Sequence, residues 1–294
     1  MHGVLVVDKP SGPTSHDVVA RARRLYGTRE VGHAGTLDPM ASGVLVLMFG
    51  QACKLSGYLT ALAKRYRAEV SFGSSTDSLD ATGQVTERRE LGPGWLEPDA
   101  LERALSAERA RDLQVPPAVS AIQVGGERAY RAARRGQSLS LPARPVRVAE
   151  LTLHGASDER LSLELEVSKG YYVRALARDL GDALGVPAHL SALRRLASGA
   201  FTLADAVAWP RDTAAPLMPT AAAARRALPC ATLTSDGVGR ARTGRALEAS
   251  HFTEVPAGEA VTAWMTEAGE LVALGCQSAA GEYRVLRGFA AAQA

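Results

Sequence analysis

With 294 residues, 46% of them apolar and 22% charged, the chain has the balance of an ordinary globular protein, which sets disorder aside and leaves room for one large domain and a smaller one. The apolar run GVLVLMFG falls far short of the roughly 20 residues a membrane-spanning helix needs, and MHGVLVVDKPSG lacks the basic leader and cleavage site of a signal peptide, so a cytoplasmic protein is expected. Net charge is only +3, but between Leu113 and Ala149 six arginines stand against one acid, Glu127, a cluster that suits a phosphate backbone as readily as an ordinary solvated face.

GVLVVDK at 3–9 reads as a strand. The helix after it has Thr14 and Ser15 as a cap signal, Val18, Ala22 and Leu25 on one face, and Gly27 as its stop. In KRYRAEVSFG the apolar Tyr66, Ala68, Val70 and Phe72 alternate with Arg65, Arg67, Glu69 and Ser71, the period of a strand with one wet face. RLSLELEVSKG repeats the pattern with Leu161, Leu163, Leu165 and Val167 inward, and YYVRALARDLGDALG continues as a helix. Strands and helices do not alternate strictly, so the expected class is α+β with a mixed or antiparallel sheet. The proline-rich AAPLMPTAAAARRALPC reads as a boundary between a catalytic domain at 1–227 and a β-rich module at 228–294, whose strand-like runs are AVTAWMT, ELVALG and YRVLRGF. On this division a chain ending near Ala227 is expected to fold. Cys53, Cys230 and Cys276 show no C-x-x-C spacing, which argues against a disulfide framework or a zinc site.

The chemistry-bearing stretch is GHAGTLDPMASG at 32–43, which sets Asp38 among small residues. No phosphate loop, no G-x-G-x-x-G, no H-E-x-x-H and no H-x-E followed by P-C-x-x-C occurs, leaving a mechanism without metal or cofactor. A glycosidic hydrolase would want a second carboxylate; none is close in sequence, although Asp77 and Asp80 could approach through the fold. An ordinary aspartate is ionised at neutral pH and needs no neighbouring base to act as a nucleophile. By residues alone, an Asp-Pro turn on the surface is the simpler reading.

GHAGTLDPMASGVL resembles the catalytic motif of the bacterial TruB family of tRNA pseudouridine synthases. Five further blocks resemble that family in order: GVLVVDKPSGPTSHDVV, KRYRAEVSFGSSTDSLDATG, PPAVSAIQVGGERAYRAARRG, SKGYYVRALARDLG and LRRLASGAF. The resemblance implies isomerisation of the uridine at T-loop position 55 of tRNA, by base flipping, without metal, cofactor or guide RNA, by a monomer. It implies Asp38 as the catalytic residue, as nucleophile or as base at the ribose. It implies Tyr66 stacked on the flipped uracil, since an ordinary phenol is only about a thousandth ionised at pH 7 and makes a poor base. Arg174 would pair with Asp38 through a forked hydrogen bond, Tyr172 would line the pocket, and His33 would fill the space the base leaves. Arg128, Tyr130, Arg134, Lys64 and Lys169 would contact RNA, the first three on a thumb at about 114–143 that pinches the T arm. The module at 228–294 resembles the PUA RNA-binding domain. Two departures stand out: Gln123 where a lysine is usual, and Tyr171 where a smaller residue is common. A non-catalytic RNA-binding factor and the guide-RNA-dependent relatives are the competing readings; an intact Asp38, Tyr66 and Arg174 argue against the first, the thumb-like segment against the second.

Overall fold

The computed structural model describes residues 1–119, 141–256, 260–279 and 281–291, together with the backbone of the short strands Gln123–Val124 and Glu127–Arg128. In chain order the first part contains β1 (Gly3–Lys9), α1 (Ser15–Leu25), β2 (Val31–His33), β3 (Ser42–Phe49), α2 (Ser56–Ala61), β4 (Lys64–Phe72), α3 (Pro98–Arg109), β5 (Val148–Ala156), β6 (Arg160–Val167), α4 (Val173–Leu184), β7 (Ala188–Ser198), β8 (Phe201–Thr202), β9 (Val207–Ala208) and α5 (Thr220–Ala227). Among the described residues its strands form one nine-stranded sheet in the order β5-β6-β4-β7-β3-β1-β9, with β8 on β7 and β2 on β3. The β7–β3 and β1–β9 pairs are parallel and the others antiparallel, so the expected mixed sheet of an α+β fold is present.

Local signals set these elements. Thr14 caps α1 and completes a capping box with Asp17, and α4 ends where Gly185 takes the left-handed conformation at φ 70°. In β1 and β3 the apolar run is unbroken because both faces are covered. Leu5, Val7, Leu45, Leu47 and Phe49 point to the side packed by α1, α3 and α4, whereas Val4, Val6, Val44, Val46 and Met48 point to the opposite side. In β4 the polar face stays wet, and Arg65 and Arg67 reach Glu164 on β6 at 2.8 and 3.2 Å. The long strand β7 and helices α2 and α3 carried no signal recognised in the sequence.

The second part holds β10 (Cys230–Leu233), α6 (Ser235–Arg242), β11 (Phe252–Glu254), β12 (Thr262–Met265), β13 (Leu271–Gln277) and β14 (Tyr283–Gly288). Its five-stranded sheet runs β11-β10-β12-β13-β14, and the three runs anticipated in the sequence are β12, β13 and β14. The proline-rich stretch read as a boundary is not a loose linker. Met218 exchanges two backbone hydrogen bonds with Val4, both at 2.8 Å, and Ala223 and Ala224 of α5 are completely buried. They belong to one apolar cluster with Val4, Val46 and Met48 on one side and Ala263, Met265, Leu274 and Phe289 on the other. The small module therefore shares a core with the rear of the large sheet, which weighs against a chain ending near Ala227 folding alone.

Candidate active site

Asp38 sits in the loop between β2 and β3, and that loop is fixed from several sides. Ser15 Oγ accepts the Leu37 N–H at 2.8 Å and donates to the Leu37 carbonyl at 3.1 Å. Lys9, fully buried at the end of β1, donates Nζ to the carbonyls of Pro10, Pro13 and Pro39 at 2.9, 2.8 and 3.4 Å. The Gly12 N–H also reaches the Pro39 carbonyl, at 2.8 Å. KPSG and LDP are thus stitched together. The motif's last glycine is obligatory: Gly43 has φ +102°, and a Cβ there would lie 2.2 Å from the Arg195 carbonyl oxygen.

Arg174, the second residue of α4, closes on Asp38 from across the sheet. Its Nε donates to Asp38 Oδ2 at 3.0 Å and its Nη2 to Oδ1 at 3.2 Å, the forked pairing anticipated. The remaining donors go to the carbonyls of Ser78 and Val119, at 2.8 and 3.0 Å. The guanidinium side chain is 6% exposed and the Asp38 side chain 34%, so the cation is locked while the carboxylate still faces outward. Asp80, a second buried carboxylate, lies behind this pair. It accepts from Ser78 Oγ, Thr82 N and Thr82 Oγ1 at 2.9, 3.0 and 2.6 Å.

The carboxylate opens onto a cavity of about 310 Å³ whose walls include Tyr66, Lys64, Tyr172, Arg174 and Arg195. Sheet register creates this wall: Tyr66 on β4 is directly opposite Arg195 on β7, and Arg195 is opposite Gly43 on β3. Tyr66 is the half-buried member of its inward-facing row, which explains how a strand aromatic comes to line an opening. Arg195 is 1% exposed and runs beneath the loop, donating to the carbonyls of Val44, Gly35 and Thr36 at 2.6, 3.1 and 3.4 Å. Those buried cations matter electrostatically. Burial, with Arg195 next, brings the Lys9 ammonium down to about 8, while Asp38 pulls the other way. Burial likewise brings Lys64 to about 8, helped by Arg195 and Lys169.

The structure gathers Asp38, Tyr66, Tyr172 and Arg174 around the cavity and treats the other expected residues differently. Lys64 is not an open RNA contact: it is 6% exposed, and its Nζ donates to the Thr60 and Leu62 carbonyls, each at 2.6 Å. That correction follows from its place on the inward face of β4, two residues before Tyr66. Lys169 is exposed in the turn after β6 at the rim of the cavity. His33 ends β2 outside the cavity lining and meets His16 edge to face, with ring centroids 5.6 Å apart. Among the described residues its buried Nδ1 has no hydrogen-bond partner, and burial, then His16 and Arg195, lowers its pKa. Arg128 and Gln123 occur in short strands whose side chains lie outside the described residues, as do Tyr130 and Arg134. Tyr171 also lines the cavity, and its hydroxyl donates to Glu108 Oε1 on α3 at 2.6 Å; burial and that carboxylate raise its pKa well above the usual phenol value.

Lys9, Arg195 and Gln114 are site residues that sequence reasoning missed, whereas Asp80 is one of the two carboxylates expected to approach through the fold. A lysine closing an apolar strand directly before Pro-Ser-Gly, and an arginine inside the apolar LRRLAS strand, were the available signals. Among the described residues no group of three or more His, Cys, Asp or Glu is placed to hold a metal ion, and no helix is long and apolar enough to cross a membrane.

Residues 23–173 match the profile of the TruB family pseudouridylate synthase N-terminal domain, and residues 174–211 that of the tRNA pseudouridylate synthase B C-terminal domain. A protein named tRNA pseudouridine synthase B from Mycobacterium bovis (strain BCG / Pasteur 1173P2) is 50% identical over 208 residues, 69% of either chain. One of the same name from Mycobacteroides abscessus is 45% identical over 252 residues, covering 83% of this chain and 84% of the relative. Among solved structures, a Cbf5-Nop10-Gar1 complex superposes with a TM-score of 0.71 at 26% identity over 93% of this chain and 78% of that one. An H/ACA RNP bound to a substrate RNA containing 2'-deoxyuridine gives 0.74 at 23% identity over 98% and 85%, a likeness of fold.

Proposed function

Because the chain belongs to the TruB family of pseudouridylate synthases, we propose that it converts uridine to pseudouridine at position 55 in the T loop of tRNA, with Asp38 as the reacting carboxylate. The observation that carries this reading is the forked Arg174–Asp38 pair at the mouth of a cavity walled by Tyr66. A base taken out of its stack needs a pocket and a flat surface to rest on; the cavity supplies the pocket and the Tyr66 ring the surface. The N1–C1' bond breaks, the uracil turns, and C5 bonds to C1'; the C5 proton leaves to solvent and N1 ends protonated, so nothing is oxidised or lost. A carboxylate oriented by a covered guanidinium is suited to react at the ribose.

The substrate in the relatives' name, tRNA, bears on the rest of the molecule. The segment at 114–143, with Arg128, Tyr130 and Arg134, grips the T arm; Lys169 stands at the rim to meet backbone phosphate; the PUA-like module at 228–294 adds affinity for the rest of the tRNA. The protein works in the cytoplasm as a monomer and without guide RNA. The guide-dependent reading is weaker, since the structures of that kind are 23–26% identical, whereas proteins named tRNA pseudouridine synthase B reach 45–50%.

The test is tritium release from a tRNA transcript carrying 5-tritiated uridine, with EDTA present and no guide RNA. Wild type is expected to release one equivalent per T loop, and Asp38→Asn, which keeps shape but removes charge, is expected to bind the tRNA and release none. An Asp38→Asn rate within about tenfold of wild type, a difference of roughly 1.4 kcal/mol, excludes the carboxylate from the reaction.

A further inference from the structure

Gln114 is 2% exposed, and both ends of its side-chain amide are spent on one residue. Its Oε1 accepts the Tyr172 N–H at 2.8 Å, and its Nε2 donates to the Tyr172 carbonyl at 3.2 Å. Tyr172 is the N-cap position of α4; its carbonyl also accepts from Ala175 and Leu176, at 3.1 and 3.2 Å. The amide therefore fixes the peptide units at the start of α4, where Tyr172 and, two residues later, Arg174 line the cavity.

Gln114 itself belongs to another structure. It pairs with Arg144 in the two-residue ribbon Leu113–Gln114 with Arg144–Pro145, and the Val146 N–H reaches the Asp112 carbonyl at 2.9 Å below it. That ribbon closes the base of the segment 115–143. Beyond Gln114 the chain leaves the strand and lends the Val115 carbonyl to Arg178 Nη2 at 2.9 Å and the Val119 carbonyl to Arg174 Nη2 at 3.0 Å. Arg174 and Arg178 are one turn apart on the same face of α4. The base of 115–143 is thus clamped to the catalytic end of that helix at three successive points, and Gln114 is the point with two hydrogen bonds from one buried side chain.

We propose that Gln114 is a positioning residue for the isomerisation: it holds the Tyr172 backbone so that Tyr172 and Arg174 stand in register with Asp38, and it ties that register to the base of the RNA-gripping segment. The inference rests on the isomerase reading above. An amide is the side chain that can serve one peptide unit as donor and its neighbour as acceptor together. A leucine of similar size serves neither and leaves a buried N–H unpaired. A glutamate, isosteric with glutamine, keeps the acceptor and turns the donor into a repulsion against the Tyr172 carbonyl.

Single-turnover tritium release, at enzyme concentrations well above the dissociation constant for a T-arm stem-loop, is measured for wild type, Gln114→Leu and Gln114→Glu, with affinity for the same RNA measured in parallel. The expected result is a saturating rate that falls about tenfold or more for Gln114→Leu and less for Gln114→Glu, with affinity within about twofold of wild type, since a residue acting on the reacting geometry lowers the rate at saturation. Saturating rates equal to wild type, or lost affinity with the saturating rate intact, overturn the proposal. Should the leucine variant fail to fold, the glutamate variant decides by the same two readings. A wild-type protein that releases no tritium overturns the isomerase reading itself, whereas active wild type with equally active variants overturns this inference alone.

Discussion

Arg174 stands between two carboxylates: its Nε is 3.0 Å from Asp38 Oδ2 and 3.7 Å from Asp80 Oδ2. Asp80 is 4% exposed, and its Oδ1 takes the donors from Ser78 and Thr82, while Oδ2, at 3.7 Å, acts on the guanidinium mainly through charge at close range. One carboxylate faces the cavity and the other backs it, and the arginine is held in the orientation that lets its fork reach the first.

Arg174→Lys keeps a charge but cannot make the fork, and the saturating single-turnover rate is expected to fall by at least about tenfold, near 1.4 kcal/mol. Asp80→Asn keeps most hydrogen-bonding shape and removes the backing charge; its rate is also expected to fall, by about tenfold. Because both changes act on one pair, the double variant should lose less than the product of the single losses. Full additivity in that double-mutant cycle would show that Asp80 does not work through Arg174.

Gly43→Ala is expected to destabilise the fold as well as remove activity. The position demands φ +102°, and the new methyl carbon would meet the Arg195 backbone at 2.2–2.9 Å, so the two parallel strands β3 and β7 must separate. Backbone incompatibility of this kind exceeds the usual one to two kcal/mol of a point change. A midpoint in urea equal to that of wild type would contradict it.

A chain ending at Ala227 is expected to lose cooperative folding. It would strip Met265, Leu271, Leu274 and Phe289 from the cluster that holds Val4, Val46 and Met48. At about 1.5–3 kcal/mol for each large apolar side chain, four such losses come to roughly 6–12 kcal/mol as an upper bound, comparable with a typical domain's whole stability. Circular dichroism and dye binding to exposed apolar surface check this; a truncated protein that melts like the full chain would remove the shared core as a requirement.

Stability should respond to alkaline pH through Lys64. Burial lowers its folded pKa from 10.5 to about 8, so between these values the unfolded chain holds more protons than the native one, and the contribution of this residue to stability rises as pH increases from about 8 towards 10.5. Below pH 8 the buried ammonium counts against the fold. Urea unfolding of wild type and Lys64→Met at pH 7.5 and pH 9.5 measures the effect: the variant should show a smaller gain, or a larger loss, on going to the higher pH. A pH dependence identical in the two proteins would show that the lysine is not desolvated.

The sequence by itself determined the strands and helices whose reasons are local. The period of two in KRYRAEVSFG and RLSLELEVSKG, the Thr14 cap and the ordered motif blocks all act over a few residues, and the motif blocks singled out Asp38, Tyr66 and Arg174, which line one cavity. Tertiary structure alone decided what depends on which face a residue meets. Lys64 looks like a basic surface residue in KRYR and is buried because β4 turns it inward beside Tyr66. Lys9, Arg195 and Asp80 joined the site only because β1, β7 and the loop after β4 converge on the turn at Asp38, a meeting of segments far apart in the chain. The unbroken apolar runs of β1 and β3 fit two covered faces. That the small C-terminal sheet is what helps cover the rear face was decided by packing, since an apolar surface specifies that it must be buried and leaves open which partner buries it.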